Sequence, residues 1–85
     1  MAEAEASALQ LEMAPVDLGA VAEAAVAIAR AAAVAEELEL VADLSPAPAT
    51  GDAGRLGQVA VNLVVNALRY TPAGGTITVR TFDRD

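Results

Sequence analysis

Asn62 and Asn66 stand four residues apart in the run QVAVNLVVNALRYTPAGG (58–75), and Arg69 and the single tyrosine, Tyr70, follow within a turn. Asn is a weak helix former and is costly to bury without partners, so two on one stripe need a reason. At i and i+4 of a helix they present two amide oxygens on the same side. Such oxygens are hard ligands that suit Mg²⁺, an ion that keeps several waters and shares the rest of its shell with substrate phosphates. An arginine one turn on can meet a phosphate, and an aromatic ring beside it can cover a flat base. The set reads as one wall of a Mg-nucleotide pocket. A plain water-facing stripe, solvated by Arg55 and Arg69, is the competing reading. Against it, exposed helix faces more readily carry Glu, Lys and Gln.

The helix that must position these residues runs from about Ala53 to Arg69, with Asp52 as its N-cap. On a wheel of 100° per residue, Arg55, Gln58, Asn62, Asn66, Arg69 and Tyr70 share a sector of roughly 120°, with Val59 intruding. Apolar residues fill the remaining arc of about 200°, wider than the single stripe of an ordinary surface helix. That width predicts a largely enclosed helix whose polar residues share one seam. TPAGG (71–75) is first of all a helix stop leading into a strand.

Upstream, residues 1–8 read as a short Ala/Glu helical stub. Leu9, Leu11 and Met13 alternate with polar or small residues, which predicts a strand ended by Pro15. Asp17 caps a helix over Leu18 to about Glu37, where Leu18, Val21, Ala25, Ile28 and Ala32 recur at helical spacing. LELVADL (38–44) alternates and predicts a second strand. SPAPATGDAG (45–54) is a loop in which Ala47 to Thr50 can form a very short extended segment. TITVRTF (76–82) is β-branched and alternating, a third strand. Strand, helix, strand, helix, strand is the pattern of an α+β domain folded as a two-layer α/β sandwich.

Composition narrows the chemistry. The chain has 85 residues and a net charge of −7, with no His and no Cys; it has one Phe, one Tyr and no Trp. Its size allows one small domain of marginal stability. The acidic balance argues against nucleic-acid or anionic-membrane partners. Without His or Cys there is no His-dependent triad, thiol nucleophile or thiolate zinc site. No uninterrupted apolar run approaches the roughly 20 residues of a membrane span, and the acidic start is unlike a signal peptide. A soluble chain is expected.

RLGQVAVNLVVNALRYTPAGGTITV (55–79) closely resembles the N-box region of bacterial sensor histidine kinases, in their Bergerat-fold ATP-binding domain. LQLEMAPVDLGAVAEAAV (9–26) is similar to that domain's first strand and helix, and AEAEASALQLE (2–12) to the end of the preceding dimerisation hairpin. The resemblance divides the chain into residues 1–8, the end of a dimerisation helix or linker, and residues 9–85, the N-terminal part of the ATP-binding domain. It implies an incomplete Bergerat-type fold that stops before the family's D-x-G-x-G motif. ATP and Mg²⁺ are the implied cofactors. Asn66 matches the family's Mg²⁺ ligand, and Asn62 a position that in related ATPases can be a glutamate assisting water attack. Arg69 matches the basic residue that reaches the phosphates. Tyr70 matches the aromatic that packs on adenine, or else caps the hydrophobic layer.

The parent function so implied is ATP-dependent autophosphorylation of a protein histidine in a two-component system. The implied partners are the dimerisation and phosphoacceptor domain and a response regulator, in the cytoplasm, with the parent kinase anchored in the inner membrane in many family members. The chain by itself, with no histidine and no glycine boxes, is expected to lack kinase activity and to bind ATP weakly or not at all. An exposed sheet edge is expected to drive self-association. The alternatives are a split or partner-dependent subunit of the same ATPase superfamily, an anti-sigma-type kinase relative among them, and a dimerisation module that binds no nucleotide.

Overall fold

A computed structural model describes residues 11–83. Six elements follow in order: β1 (Ala14–Asp17), α1 (Leu18–Ala35), β2 (Glu39–Leu44), β3 (Pro48–Gly51), α2 (Ala53–Tyr70) and β4 (Thr76–Thr81). β1 and β3 form an antiparallel pair with Ala14 opposite Gly51, and β2 and β4 form a parallel pair with Glu39 opposite Thr76. A parallel pair needs a long crossover, and β3 with α2 provides it.

The larger sheet has two unlike faces. Leu40 and Ile77 are opposite one another and buried, with Val79 and Leu44 partly buried on the same face. The other face is a polar ladder: the Thr76 hydroxyl donates to Glu39 Oε1 at 3.2 Å, and Arg80 Nε lies 3.2 Å from Asp43 Oδ2. Both helices pack on the apolar face, so the two-layer α/β arrangement holds. Its core joins Ala25, Val26, Ala29 and Ala33 of α1 to Leu38, Leu40, Val64 and Ile77.

Local chemistry explains the helix ends. Asp17 accepts from the Gly19 amide at 2.9 Å as N-cap of α1, and the same Oδ1 accepts from the Ala47 amide at 2.8 Å, tying the β2–β3 loop to the helix start. That loop comes so close that a Cβ on Gly19 would lie 2.6 Å from the Ser45 carbonyl oxygen. At its C-terminus α1 closes with the Leu38 amide on the Ala33 carbonyl and the Glu37 amide on the Val34 carbonyl. This is a Schellman pair, and it puts Glu37 at φ 60, in the left-handed region. Ala33 and Leu38, both buried, provide the apolar contact that accompanies it. Asp52 caps α2 by accepting from the Arg55 amide at 3.0 Å, while its Oδ2 takes the Glu12 amide at 2.8 Å. The Glu12 and Arg55 amides together hold its carboxyl below the usual 3.8.

Two expectations change. The first strand is Ala14–Asp17 rather than Leu9–Met13: Leu11–Met13 is not strand, and residues 9 and 10 lie outside the described residues. Pro15 sits inside β1 instead of ending it, because a two-stranded sheet leaves each strand an open edge where a missing N–H costs nothing. The short extended segment is real, begins at Pro48 and pairs with β1, so the pattern gains a strand. The helical stub expected over 1–8 lies outside the described residues. By length and composition α1 would also pass as a membrane span. It carries Glu23 and Arg30, however, and Arg30 donates to the Leu40 carbonyl at 3.0 Å, as suits a helix laid on a sheet.

Candidate functional site

The expectation that α2 is enclosed is also overturned. Val64 is its buried residue, and Ala60, Val61, Ala67 and Leu68 are partly buried beside it. Leu63 and Val65, inside the wide apolar arc, are 64% and 43% exposed. A helix wheel gives the width of an apolar arc but not what lies against it; here α1 and β4 cover only part.

Asn62 and Asn66 are exposed, on the side of α2 opposite Val64. On adjacent turns, their Cβ atoms are roughly 5–6 Å apart. Neither side chain has a hydrogen bond among the described residues, so both amide oxygens face outward with their lone pairs open to a ligand or water. Arg69 and Tyr70 flank this stripe. Arg69 lines a shallow depression together with Ala32, Glu36, Val65 and Leu68. Tyr70 is 76% exposed, so it does not cap the hydrophobic layer of the described residues. The structure thus brings the two asparagines together and sets the other two residues on either flank, without closing them into a pocket.

The helix direction matters for charge. Asn66, Arg69 and Tyr70 lie in the C-terminal part of α2, where the backbone carbonyls carry partial negative charge and favour cations. A divalent cation gains from that end, whereas a phosphate there needs the cation and Arg69 to hold it. Among the described residues no cluster of three or more acidic, His or Cys side chains can hold a metal. An ion at this stripe would therefore rest on amide oxygen, water and ligand phosphates, a donor set that fits Mg²⁺.

Sequence reasoning missed an apolar groove of about 370 Å³ along the Tyr70 flank, between α1, α2 and β4. Leu56, Val59 and Leu63 form its α2 wall. The one sequence signal for it was Val59, the apolar residue inside the polar sector.

The chain matches no protein-family profile. Its fold is that of sensor histidine kinases. It aligns over 87% of its length with the mycobacterial sensor kinase MprB, covering 48% of that chain at 27% identity and TM-score 0.76. It aligns equally far with the cytoplasmic segment of the histidine kinase QseC, covering 50% of it at 25% identity and TM-score 0.74. The Acinetobacter baumannii histidine kinase AdeS matches over 92% of this chain and 40% of its own, at 29% identity and TM-score 0.70. In sequence, 33 residues (39% of the chain) are 58% identical to the adaptive-response sensory kinase SasA of Synechococcus elongatus, over 8% of that protein. The chain therefore spans half or less of the solved chains and under a tenth of this curated relative. It is related to sensor histidine kinases, and its α+β fold matches a fragment of a kinase ATPase fold.

Proposed function

We propose that this chain is the N-terminal part of the ATP-binding catalytic domain of a bacterial two-component sensor histidine kinase, with the α2 stripe as one wall of the Mg-ATP site. The observation that carries the reading is the pair of outward-facing, unpartnered amides of Asn62 and Asn66, on a fold shared with such kinases. Neither amide is needed by the core, and Asn is a poor choice for a merely solvated helix face.

In this reading Asn66 would hold Mg²⁺ through its amide oxygen, with the Asn62 amide beside it one turn away. When bound, the ion neutralises charge on the phosphates during in-line transfer. Arg69 would reach a phosphate oxygen from its flank, and the exposed ring of Tyr70 would lie against the adenine. Asn62 has no proton-accepting capacity near neutral pH, so it cannot activate a water; this suits transfer to a protein side chain better than hydrolysis. The 85 residues contain no histidine, so the phosphoryl acceptor belongs to a separate phosphoacceptor domain, with a response regulator downstream. A cytoplasmic setting agrees with the QseC segment.

The test is a titration of isotopically labelled chain with ATP, with and without Mg²⁺, followed by amide and side-chain NMR shifts. Weak, Mg²⁺-dependent shifts centred on Asn62, Asn66, Arg69 and Tyr70, lost in a folded Asn66→Ala variant, are expected. Shifts elsewhere, or none at saturating Mg-ATP, would reject the assignment of the stripe.

A further inference from the structure

The β1–β3 ribbon carries an aspartate at each end, and each begins a helix. Asp17 closes β1 and caps α1, and Asp52 follows β3 and caps α2. Each also takes an amide from the chain entering the other strand. Asp17 accepts from Ala47, immediately before β3; Asp52 accepts from Glu12, two residues before β1 and 40 from Asp52 in sequence. The two ties differ in what stands beside them. At Asp17, Ala47 is buried, its carbonyl accepts from the Leu18 amide at 2.9 Å, and the Ser45 carbonyl presses on Gly19. At Asp52 the two oxygens are used separately, Oδ1 for the Arg55 amide and Oδ2 for the Glu12 amide. Leu11 and Met13, on either side of Glu12, are 50% and 58% exposed. The first tie is backed by packing, whereas the second depends chiefly on a charge-assisted hydrogen bond.

The start of α2 is lightly packed. Ala53, Gly54 and Arg55 are exposed, and the glycines at 54 and 57 weaken the first two turns. A Cβ on Gly57 would meet nothing within 4 Å, whereas one on Gly51 would lie 2.7 Å from Leu56 Cδ1, so Leu56 packs on the end of β3. Farther along, Val64 is buried in the core, with Ala60, Val61, Ala67 and Leu68 partly buried around it. Asn62 and Asn66 straddle Val64. α2 has no proline to bend it, and sharp kinks need such a cause. A change of direction at its start therefore turns the line from Asn62 to Asn66 about the Val64 contact.

We propose that Asp52 is a positioning residue. By holding the Glu12 amide and the first turn of α2 on one carboxylate, it passes the position of the segment entering β1 to α2, and so sets the pose of the Asn62–Asn66 stripe. The last step rests on the Mg-ATP reading of that stripe; the link from Glu12 to α2 does not. The Glu12 and Arg55 amides hold the Asp52 carboxyl below the usual 3.8. The tie is therefore complete at neutral pH, and it is worked by movement of the entering segment, not by titration. Such a coupling is reciprocal: whatever fixes the stripe also steadies Glu12.

Two substitutions cut the tie from opposite sides while leaving the helix cap in place. Asp52→Asn keeps one accepting oxygen for the first turn of α2, and its NH₂ group cannot accept from Glu12. Glu12→Pro removes the donating N–H itself. Glu12→Ala keeps that N–H and is the control. Amide shifts, hydrogen exchange and residual dipolar couplings of the labelled 85-residue chain, without nucleotide, read the effect. Asp52→Asn and Glu12→Pro should both turn α2 relative to α1, move the Asn62 and Asn66 amides in the same direction, and speed exchange at Leu56 to Val59 by about threefold or more. Glu12→Ala should do none of this. Changes confined to residues 11–14 and 52–56, with α2 unturned, overturn the proposal, as does a Glu12→Ala effect equal to that of Glu12→Pro. Should Glu12→Pro fail to fold, Asp52→Asn against Glu12→Ala decides. Mg-ATP is then added to the parent chain, where shifts at the stripe should come with slower exchange of the Glu12 amide. Stripe shifts with Glu12 exchange unchanged reject the coupling and leave the Mg-ATP reading standing. No stripe shifts, with α2 turned by both substitutions, reject the Mg-ATP reading and leave the link from Glu12 to α2 standing.

Discussion

The two helices are close to twins in length and capping, yet they do opposite jobs. Both are 18 residues long and start from an aspartate that accepts a backbone amide. α1 buries Ala22, Ala25, Val26, Ala29 and Ala33 along one face. α2 buries Val64 and leaves larger apolar residues in the open. Small alanines let α1 lie close on the sheet, and that closeness holds the core together. α2 leans on α1 and presents its far side. α1 carries most of the core, Val64 adds to it from α2, and the outward side of α2 is free to vary without loosening the fold.

The sharpest test of that contrast places the same charge on both. Val26→Asp puts an unpaired carboxylate into the core, a change that costs several kcal/mol; in a chain this small it should abolish the thermal transition seen by circular dichroism. Leu63→Asp in the dilute, monomeric chain should keep the melting curve within about 0.5 kcal/mol of the parent. Equal damage from the two would end the distinction drawn here.

The next effect separates the two caps. Asp17→Ala breaks the bonds to Gly19 and Ala47 together and should cost about 1–2 kcal/mol in urea unfolding. Asp17→Asn keeps an accepting oxygen and should recover most of it. A loss no greater than that of an exposed side chain would mean that the β2–β3 loop needs no tether.

A stabilising change probes the far end of α1. Glu37 holds φ 60 without being glycine, a conformation that costs an ordinary residue roughly 1 kcal/mol. Glu37→Gly should raise the unfolding free energy by about that amount. No gain would imply that Glu37 contributes a compensating interaction in the folded state.

The smallest effect on stability should accompany the largest on ligand binding. Asn62→Ala and Asn66→Ala remove exposed, unpartnered amides and improve helix propensity, so each should stabilise α2 by about 0.5 kcal/mol. Mg-ATP shifts should disappear in Asn66→Ala all the same. If instead both variants are destabilised, the asparagines serve the fold, and α2 is more like α1 than its exposure suggests.

Much of this was readable in the sequence, and the errors share a cause. The helices from Leu18 and from Ala53, their Asp17 and Asp52 caps, and the strands near Glu39 and Thr76 follow from periodicity and capping, which act within a few residues. The first strand was misplaced because Leu9, Leu11 and Met13 alternate as well as any strand does. Alternation cannot say which extended stretch finds a partner; β3 lies more than thirty residues on and chose Ala14–Asp17 instead, proline included. The wide arc of α2 misled for a similar reason. Its pattern records which residues are apolar, whereas burial depends on how far α1 and β4 extend beneath them.

The sequence by itself determined the two helices with their ends, the strands near Glu39 and Thr76, and the grouping of Asn62 with Asn66 on one stripe, because these follow from neighbours within a few residues. Only the tertiary structure decided that this stripe faces outward, that Arg69 and Tyr70 stand on separate flanks, and that a groove lies beside Val59. Those outcomes depend on pairings such as β1 with β3 and β2 with β4, between segments more than thirty residues apart. Such pairings are fixed by the joint burial of many side chains, which no short window of sequence contains.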